Sequence, residues 1–336
     1  MLLIWLDERT RPMIIRTITA ATALLLSSAF TAAYSMDTVR IAGWSKPISE
    51  ITNILAEPDK GFFKANNIEM KYVPGAGGGS AIRNMLSGAA DVAFTDPASF
   101  YQALDKGENL VAIYNIYPQN VFNVVSPVER GIKKPEDLKG KTIGVYSLSS
   151  GTRQNLQVLL HQVGLSEKDV TIKVTGLLNF APVIQGQVDA TAATDTGLFV
   201  GKLKGLGKVN VINVADSLNV PSDMFVVTDA YYMANKMLLK RFLASYRDSA
   251  AWMIAEPEEA AKIAIKRSIN GRNEAVNLAI IKIRNISSQS ETTRSKGLGH
   301  FDVDLLQKGV ETFKGLGLIK ANLDMSKVIK TDLIPK

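Results

Sequence analysis

The chain has 336 residues, is 46 % hydrophobic and carries a formal net charge of +7, enough apolar material for one large or two ordinary domains. It contains no cysteine, which excludes disulfides, thiolate metal sites, cysteine nucleophiles and a lipid-anchored cysteine. The basic balance is dispersed, with no block of five Lys or Arg and no basic–aromatic interleaving, so nucleic acid is not expected as a partner.

At the amino terminus, Arg16 precedes an apolar run from Ile18 to Phe30 broken only by small hydroxyl residues, and Thr31-Ala32-Ala33-Tyr34-Ser35 follows. This is the pattern of a signal peptide over residues 1–35, cleaved after Ala33 or Ser35. The run is too short and too rich in Ala, Ser and Thr for a comfortable membrane span. Met1–Pro12 carries both charge signs, so translation is expected to start at Met13. Removing residues 1–35 takes away Arg9, Arg11 and Arg16 against Asp7 and Glu8, leaving the remainder mildly basic. No later apolar run approaches membrane length. The expected location is the periplasm of a Gram-negative cell, without a lipid anchor.

Val39–Trp44 reads as a first strand, followed by helical periodicity through Ile48, Ile51, Ile54 and Leu55 and a second strand over Glu69–Val73. Pro74-Gly75-Ala76-Gly77-Gly78-Gly79-Ser80 is the most glycine-dense stretch, with a helix expected from Ser80 or Ala81 to Gly88. Such a loop lets backbone approach a ligand closely. It lacks the Gly-Lys-Ser/Thr ending of a Walker loop. Ala90–Thr95 reads as a short buried strand, with Asp96 as N-cap and Pro97 as first residue of the next helix. Leu110–Tyr117 is a further β run. Val121–Val125 and, far downstream, Met224–Val227 are apolar β runs that bracket the middle of the chain, as a two-strand crossover between lobes would.

The alternating stretch Lys141–Tyr146 runs into Ser147-Leu148-Ser149-Ser150-Gly151-Thr152. From Arg153 the period becomes helical, with Leu156, Leu159, Leu160 and Val163 on one stripe and Gly164 as the stop. Strand, small-residue loop and helix in that order place hydroxyls and free N–H groups where small polar ligands commonly bind in open α/β sheets. Val170–Val174 is a strand, Asn179–Ile184 a short helix and Val209–Val214 another strand. Between them, Gly186–Gly197 repeats the theme of Gly88–Asp96: glycine, a small-residue strand, then Thr194-Asp195 in the place of Thr95-Asp96. From Ala230 the chain is mostly helical, and the apolar stripes there read as core.

Ile132-Lys-Lys-Pro-Glu-Asp-Leu-Lys-Gly-Lys-Thr-Ile-Gly-Val145 resembles the entry to the second lobe of periplasmic solute-binding proteins of ABC importers. The branch it resembles is the nitrate/sulfonate/taurine group, which shares its fold with thiamine-pyrimidine-type binding proteins. Gly61-Phe-Phe-Lys64 with Asn67-Ile-Glu69, Gly88-Ala-Ala-Asp-Val-Ala-Phe-Thr-Asp96 and Phe313-x-x-x-Gly317-Leu-Ile-Lys320 are similar to further segments of that family, so the resemblance runs over about residues 37–333. It implies an α/β, two-lobed type II periplasmic binding fold with two crossover hinge strands. The lobes expected are 36–123 plus 227–336, and 124–226. Related fungal enzymes build the thiamine pyrimidine with a cysteine-rich motif, which this chain lacks.

The histidines, His161 and His300, are not placed for catalysis, and no metal or hydrolase motif is present. No cofactor and no enzymatic activity are expected. The loops offered to a ligand are Trp44, Ser45, Gly79, Ser80, Thr95, Asp96, Ser149, Ser150, Gly151, Thr152, Asn179 and Asp195. Trp44 is a candidate to stack on a planar ligand. Ser149–Thr152 are candidates to hold an oxyanion, and Arg153 either pairs with an anion or is a solvated first-turn residue. Asp96 and Asp195 suit a ligand with N–H donors or an ammonium: an aminosulfonate, an amino acid-like compound or a pyrimidine. The expected function is capture of a small polar organic solute between two lobes and delivery to an ABC permease with its cytoplasmic ATPase, by a monomer. The alternatives are an exported enzyme with Asp96 and Asp195 as acid and base, or a sensor presenting the ligand to another receptor.

Overall fold

In the computed structural model, which describes residues 35–178 and 180–335 (Leu178 by its backbone only), the β runs of the sequence sort into two five-stranded sheets. The expected signal peptide, Ser35 excepted, lies outside the described residues. The first sheet holds β1 (Asp37–Ala42), β2 (Ile68–Val73), β3 (Val92–Thr95), β4 (Leu110–Tyr117) and β10 (Asp223–Thr228), in the order β2-β1-β3-β10-β4. The second holds β5 (Phe122–Pro127), β6 (Thr142–Val145), β7 (Thr171–Val174), β8 (Ala190–Thr194) and β9 (Val209–Asn213), in the order β7-β6-β8-β5-β9.

The two sheets have one topology. Three parallel strands are followed by a strand that enters antiparallel between the third and the edge: β10 lies against β3 and β4, and β5 against β8 and β9. Each sheet receives that strand directly after the chain has crossed from the other. This is the two-lobed periplasmic-binding architecture that the sequence led one to expect. The crossings fall at 118–121 and 214–222, so Phe122 and Asn123 pair in the second sheet and Met224–Val226 in the first. Both apolar runs singled out as crossovers are therefore strands, each entered from a connection just before it.

Those connections are laced together. Asn120 N–H donates to Asn219 Oδ1 at 3.0 Å and Asn120 Nδ2 to Leu218 O at 2.9 Å. Ser222 Oγ donates to Gln119 O at 2.8 Å, and its N–H to Tyr117 O at 2.9 Å. Two short segments bonded to each other form one narrow bridge instead of two independent linkers.

Why β4 is apolar at every position but Asn115 is clear from its burial. All eight of its residues are buried, because both sheet faces are covered. Helix Lys236–Ala255 covers one face through Leu239, Phe242, Leu243 and Tyr246. Helices Pro97–Asp105 and Val303–Gly315 cover the other. Phe225 of β10 sits centrally, 4.6 Å from Tyr246, 5.3 Å from Phe242 and 5.5 Å from Phe94 by ring centroids. The second lobe packs Leu156, Leu159 and Leu160 of helix Gly151–Gln162 onto its sheet. Gly164, at φ +73°, follows that helix, as the stop signal in the sequence required. No helix among the described residues is long and apolar enough to cross a membrane.

Phe225→Ala is expected to lower stability by about 3–5 kcal/mol, because its aromatic neighbours Phe94, Tyr114, Phe242 and Tyr246 cannot collapse into the void. A urea transition would read this as a lower midpoint with an unchanged slope. A shift below about 1 kcal/mol would contradict this account of the core.

Candidate functional site

The carboxyl ends of the parallel strands in the two sheets face each other across a cavity of about 90 Å³. The first lobe contributes Trp44, Glu50, Gly77, Gly78, Asp96, Asp223 and Arg284 to its wall, and the second Phe122, Tyr146, Ser150, Gly151, Thr152 and Thr194. Ile48, Val121 and Leu177 add apolar surface.

Local chemistry sets the framework. Asp96 caps helix Pro97–Asp105, accepting from Ser99 N–H at 2.8 Å and from Ser99 Oγ at 2.9 Å. From the other lobe the Gln154 amide nitrogen, turned toward it, donates to Asp96 Oδ1 at 2.8 Å. Asp96 is only 3 % exposed. Burial, partly offset by the Ser99 hydrogen bonds, pushes its carboxyl up to about 6.

Gly77 and Gly78 open helix Gly78–Leu86 with no room for a side chain. A Cβ at Gly77, where φ is +108°, would lie 2.4 Å from Ser149 O, and one at Gly78 2.0 Å from Asp96 Oδ2. A Cβ at Gly151 would stand 2.6 Å from the Phe122 ring and 3.4 Å from Asp96 Cγ. The Asp96 carboxylate thus lies against the first turns of two helices, Gly78–Leu86 and Gly151–Gln162. The negative charge that helix N-termini favour is already supplied by the protein.

At Ser149–Thr152, where an oxyanion was expected, the hydroxyls have partners within the protein. Ser150 Oγ donates to Ser147 O at 2.7 Å, and the Ser150 and Thr152 hydroxyls are 2.8 Å apart. Thr152 Oγ1 also accepts from Tyr146 N–H at 3.1 Å. These hydroxyls are spent on their own turn. Ser149 ties the lobes together: its Oγ donates to Ala76 O at 2.9 Å and its carbonyl accepts from Gly79 N–H at 3.1 Å. Arg153 Nε donates to Glu167 at 2.7 Å, so it is a paired surface cation that does not reach the cavity.

Arg284, from helix Glu274–Ser287 of the first lobe, was not singled out in the sequence. Its side chain is 1 % exposed. Nε donates to Glu50 Oε2 at 2.8 Å, and Nη2 donates to Asp195 Oδ1 and, at 3.0 Å, to Thr196 Oγ1. Its guanidinium carbon stands 5.3 Å from the Tyr117 ring centroid. Burial alone would lower its pKa, but the carboxylates of Asp195 and Glu50 outweigh that and hold it protonated. Glu50 is its partner within the first lobe, and Asp195 its partner across the cleft.

Of the residues proposed from sequence, Trp44, Asp96, Ser150, Gly151 and Thr152 line the cavity. Asp195 stands behind Arg284. Its neighbour Thr194, not Asp195, caps helix Asp195–Leu203, accepting from Gly197 N–H, so the two Thr-Asp pairs end equivalent strands one residue out of phase. Gly79 and Ser149 meet at the lobe contact, while Ser45 Oγ is turned to Lys46 O at 2.7 Å. Ser80 and Thr95 do not reach the wall, and Asn179 lies outside the described residues. Glu50 and Arg284 carry no local mark because each sits among helix signals, where a charge reads as solvent-facing, and Asp223 none because it follows Pro221-Ser222 and reads as a turn. His161 Nδ1 lies 2.8 Å from Leu316 O, far from any chemistry.

Residues 48–260 match the model of a family described as NMT1/THI5 like. The riboflavin-binding protein RibY of Chloroflexus aurantiacus is 24 % identical over 281 residues, covering 82 % of this chain and 80 % of that protein. A putative thiamine biosynthesis protein of Haemophilus influenzae is 25 % identical over 226 residues, 67 % of this chain and 71 % of its own. The alkanesulfonate-binding protein SsuA from Xanthomonas axonopodis pv. citri, bound to MOPS, superposes with a TM-score of 0.69 at 18 % identity, over 88 % of this chain and 98 % of that one.

A carboxyl raised from 3.8 to about 6 binds its proton more tightly in the folded than in the unfolded chain. Its stabilising contribution is complete below 3.8 and is lost as pH rises through 6. Asp96→Asn, which keeps a helix cap but no charge, is therefore expected to gain up to about 3 kcal/mol over the parent at pH 7 and little at pH 4. Urea melts of both proteins at the two pH values measure this, and a difference that does not change with pH would contradict it.

Proposed function

The chain belongs to the NMT1/THI5-like family, and on that premise we propose that it is an exported solute-binding protein. It captures a small polar organic molecule between its lobes and delivers it, in the periplasm, to a membrane permease driven by a cytoplasmic ATPase. The observation that carries this is the cavity itself, walled by both lobes at the strand ends where α/β folds place ligands. The laced crossings at 118–121 and 214–222 suit a hinge, and we place the lobe boundaries there. The Gly77–Gly79 and Ser147–Ser149 loops suit the closing contact, and Arg284 with Asp195 suits the latch. The amino-terminal pattern of residues 1–35 supports export. RibY and SsuA, by their names, bind a flavin and alkanesulfonates, which favours capture over chemistry.

The enzyme reading needed Asp96 and Asp195 as an acid and base facing one substrate. Asp195 is engaged by Arg284 and does not line the cavity, which favours binding.

The protein purified without denaturation should release a small molecule when unfolded, identifiable by mass spectrometry. Returned to the stripped protein at about 100 times its Kd, that molecule should add about 2.7 kcal/mol of stability and be recovered unchanged. A molecule consumed on return would establish an enzyme instead, and a protein that carries and rebinds nothing would contradict the capture reading.

A further inference from the structure

Helix Gly151–Gln162 belongs to the second lobe by chain and to both lobes by packing. One side of it carries Leu156, Leu159 and Leu160 onto the second sheet. Val158, on another side and 0 % exposed, lies instead in the core of the first lobe, with Tyr101, Phe313 and, from the crossing at 214–222, Leu218 and Val220. In the last turn, His161 Nδ1–H donates at 2.8 Å to the carbonyl of Leu316, which follows helix Val303–Gly315 of the first lobe. A carbonyl can only accept, so the proton is on Nδ1. Between these contacts and the cavity, Asn155 Oδ1 accepts at 3.1 Å from Asn120 Nδ2 of the other crossing.

Val158, His161, Leu218, Val220 and Leu316 are not part of the cavity wall. They form a seam between the lobes at the far end of a helix whose first residue, Gly151, does line the cavity. From Gly151 to His161 the helix runs about 15 Å at its ordinary rise per residue. Its two ends differ in what separating the lobes would cost. At the cavity end the lobes meet through the Ser147 and Ser149 hydroxyls, which donate to Ala76 O at 2.6 and 2.9 Å, and through Gly79 N–H on Ser149 O. Water replaces hydrogen bonds at such exposed positions with little loss. At the far end an apolar side chain with no exposed surface would be uncovered, and water does not replace that contact.

We propose that this seam is the fulcrum of closure. The lobes rock about the Val158–His161 end of helix Gly151–Gln162, which stays seated on the first lobe, while the Ser147–Ser149 loop at its other end swings off Ala76 and Gly79. This deepens the capture reading and rests on it. The crossings alone would leave two lobes free to twist as well as to open, whereas a packed seam beside them removes the twist. The helix is rigid, so its start moves with the loop, and Ser150, Gly151 and Thr152 of the cavity wall move with it.

The chain has no cysteine, so thiols can be placed in pairs without background. A short bis-maleimide joins His161→Cys to Leu316→Cys across the seam in one protein, and Ala76→Cys to Ser149→Cys across the loops in another. Each stripped, linked protein is compared with the same variant capped by N-ethylmaleimide, using the molecule recovered from the parent. The seam-linked protein should rebind it within about twofold of its capped control, and the loop-linked protein should take it up at least about a hundredfold more slowly. The parent gives a second reading that needs no substitution. By NMR, the His161 Nδ1–H should exchange slowly with solvent in stripped and loaded protein alike, and the Gly79 amide should be protected only in loaded protein. The inference is overturned if the seam link abolishes rebinding, if the loop link leaves uptake at the rate of its control, or if the His161 proton is protected only in loaded protein. A parent that carries and rebinds nothing defeats the capture reading instead, and a slowly exchanging His161 proton beside a fast Gly79 amide in that protein would still show the seam shut while the loops part.

Discussion

A guanidinium with 1 % of its side chain exposed dictates much of what surrounds it. Arg284 reaches the cavity from a helix of the first lobe and cannot be left there unpaired, since an isolated buried charge is worth several kcal/mol of instability. Glu50, on a short turn of the same lobe, answers half of that demand, and Asp195, with Thr196, answers the rest from the second lobe. The division has a mechanical consequence. With the lobes apart, Arg284 would still have Glu50 and would gain water, so the pair has two tolerable states. Asp195, whose side chain is 34 % exposed, is the partner that can be exchanged for solvent. An ion pair of this kind adds little net energy, because desolvation and attraction nearly cancel.

Around that latch the cavity has an unusual charge balance for a fold whose helix N-termini converge on it. Helices Gly78–Leu86 and Gly151–Gln162 direct their first turns inward, an arrangement that would welcome an anion. Asp96 lies against both, so the protein fills the anion position with its own carboxylate. The space left beside it is bordered by Asp223, Trp44 and apolar rings. A shared fold with a sulfonate binder therefore does not by itself carry the ligand with it.

The strands were legible in the sequence because their signals are local. β4 is read as Leu110–Tyr117 from a β run broken only by Asn115, and Asp96-Pro97 announces a cap and first turn that the backbone adopts. The echo between Val121–Val125 and Met224–Val227 pointed to the exchange of strands between lobes, although each run lies inside a sheet and not between the two. The site was legible only where a loop marks a helix start, at Trp44, Asp96 and Ser150–Thr152. Arg284 follows Ile280, Ile281 and Lys282 on an amphipathic helix, and nothing local says that its guanidinium enters a cleft. Asp223 sits behind Pro221-Ser222, where an acidic residue reads as a turn. Partners 89 and 234 residues apart make Arg284 what it is, and that pairing is a property of the folded chain.

If a ligand closes two lobes that Arg284 and Asp195 then hold together, small-angle scattering of the stripped protein, with and without the molecule recovered from it, should show it, with Asp195→Asn alongside the parent. The loaded parent should have a smaller radius of gyration than the stripped one, and the loaded Asp195→Asn protein should stay more expanded at equal occupancy. Identical radii for stripped and loaded parent would contradict it.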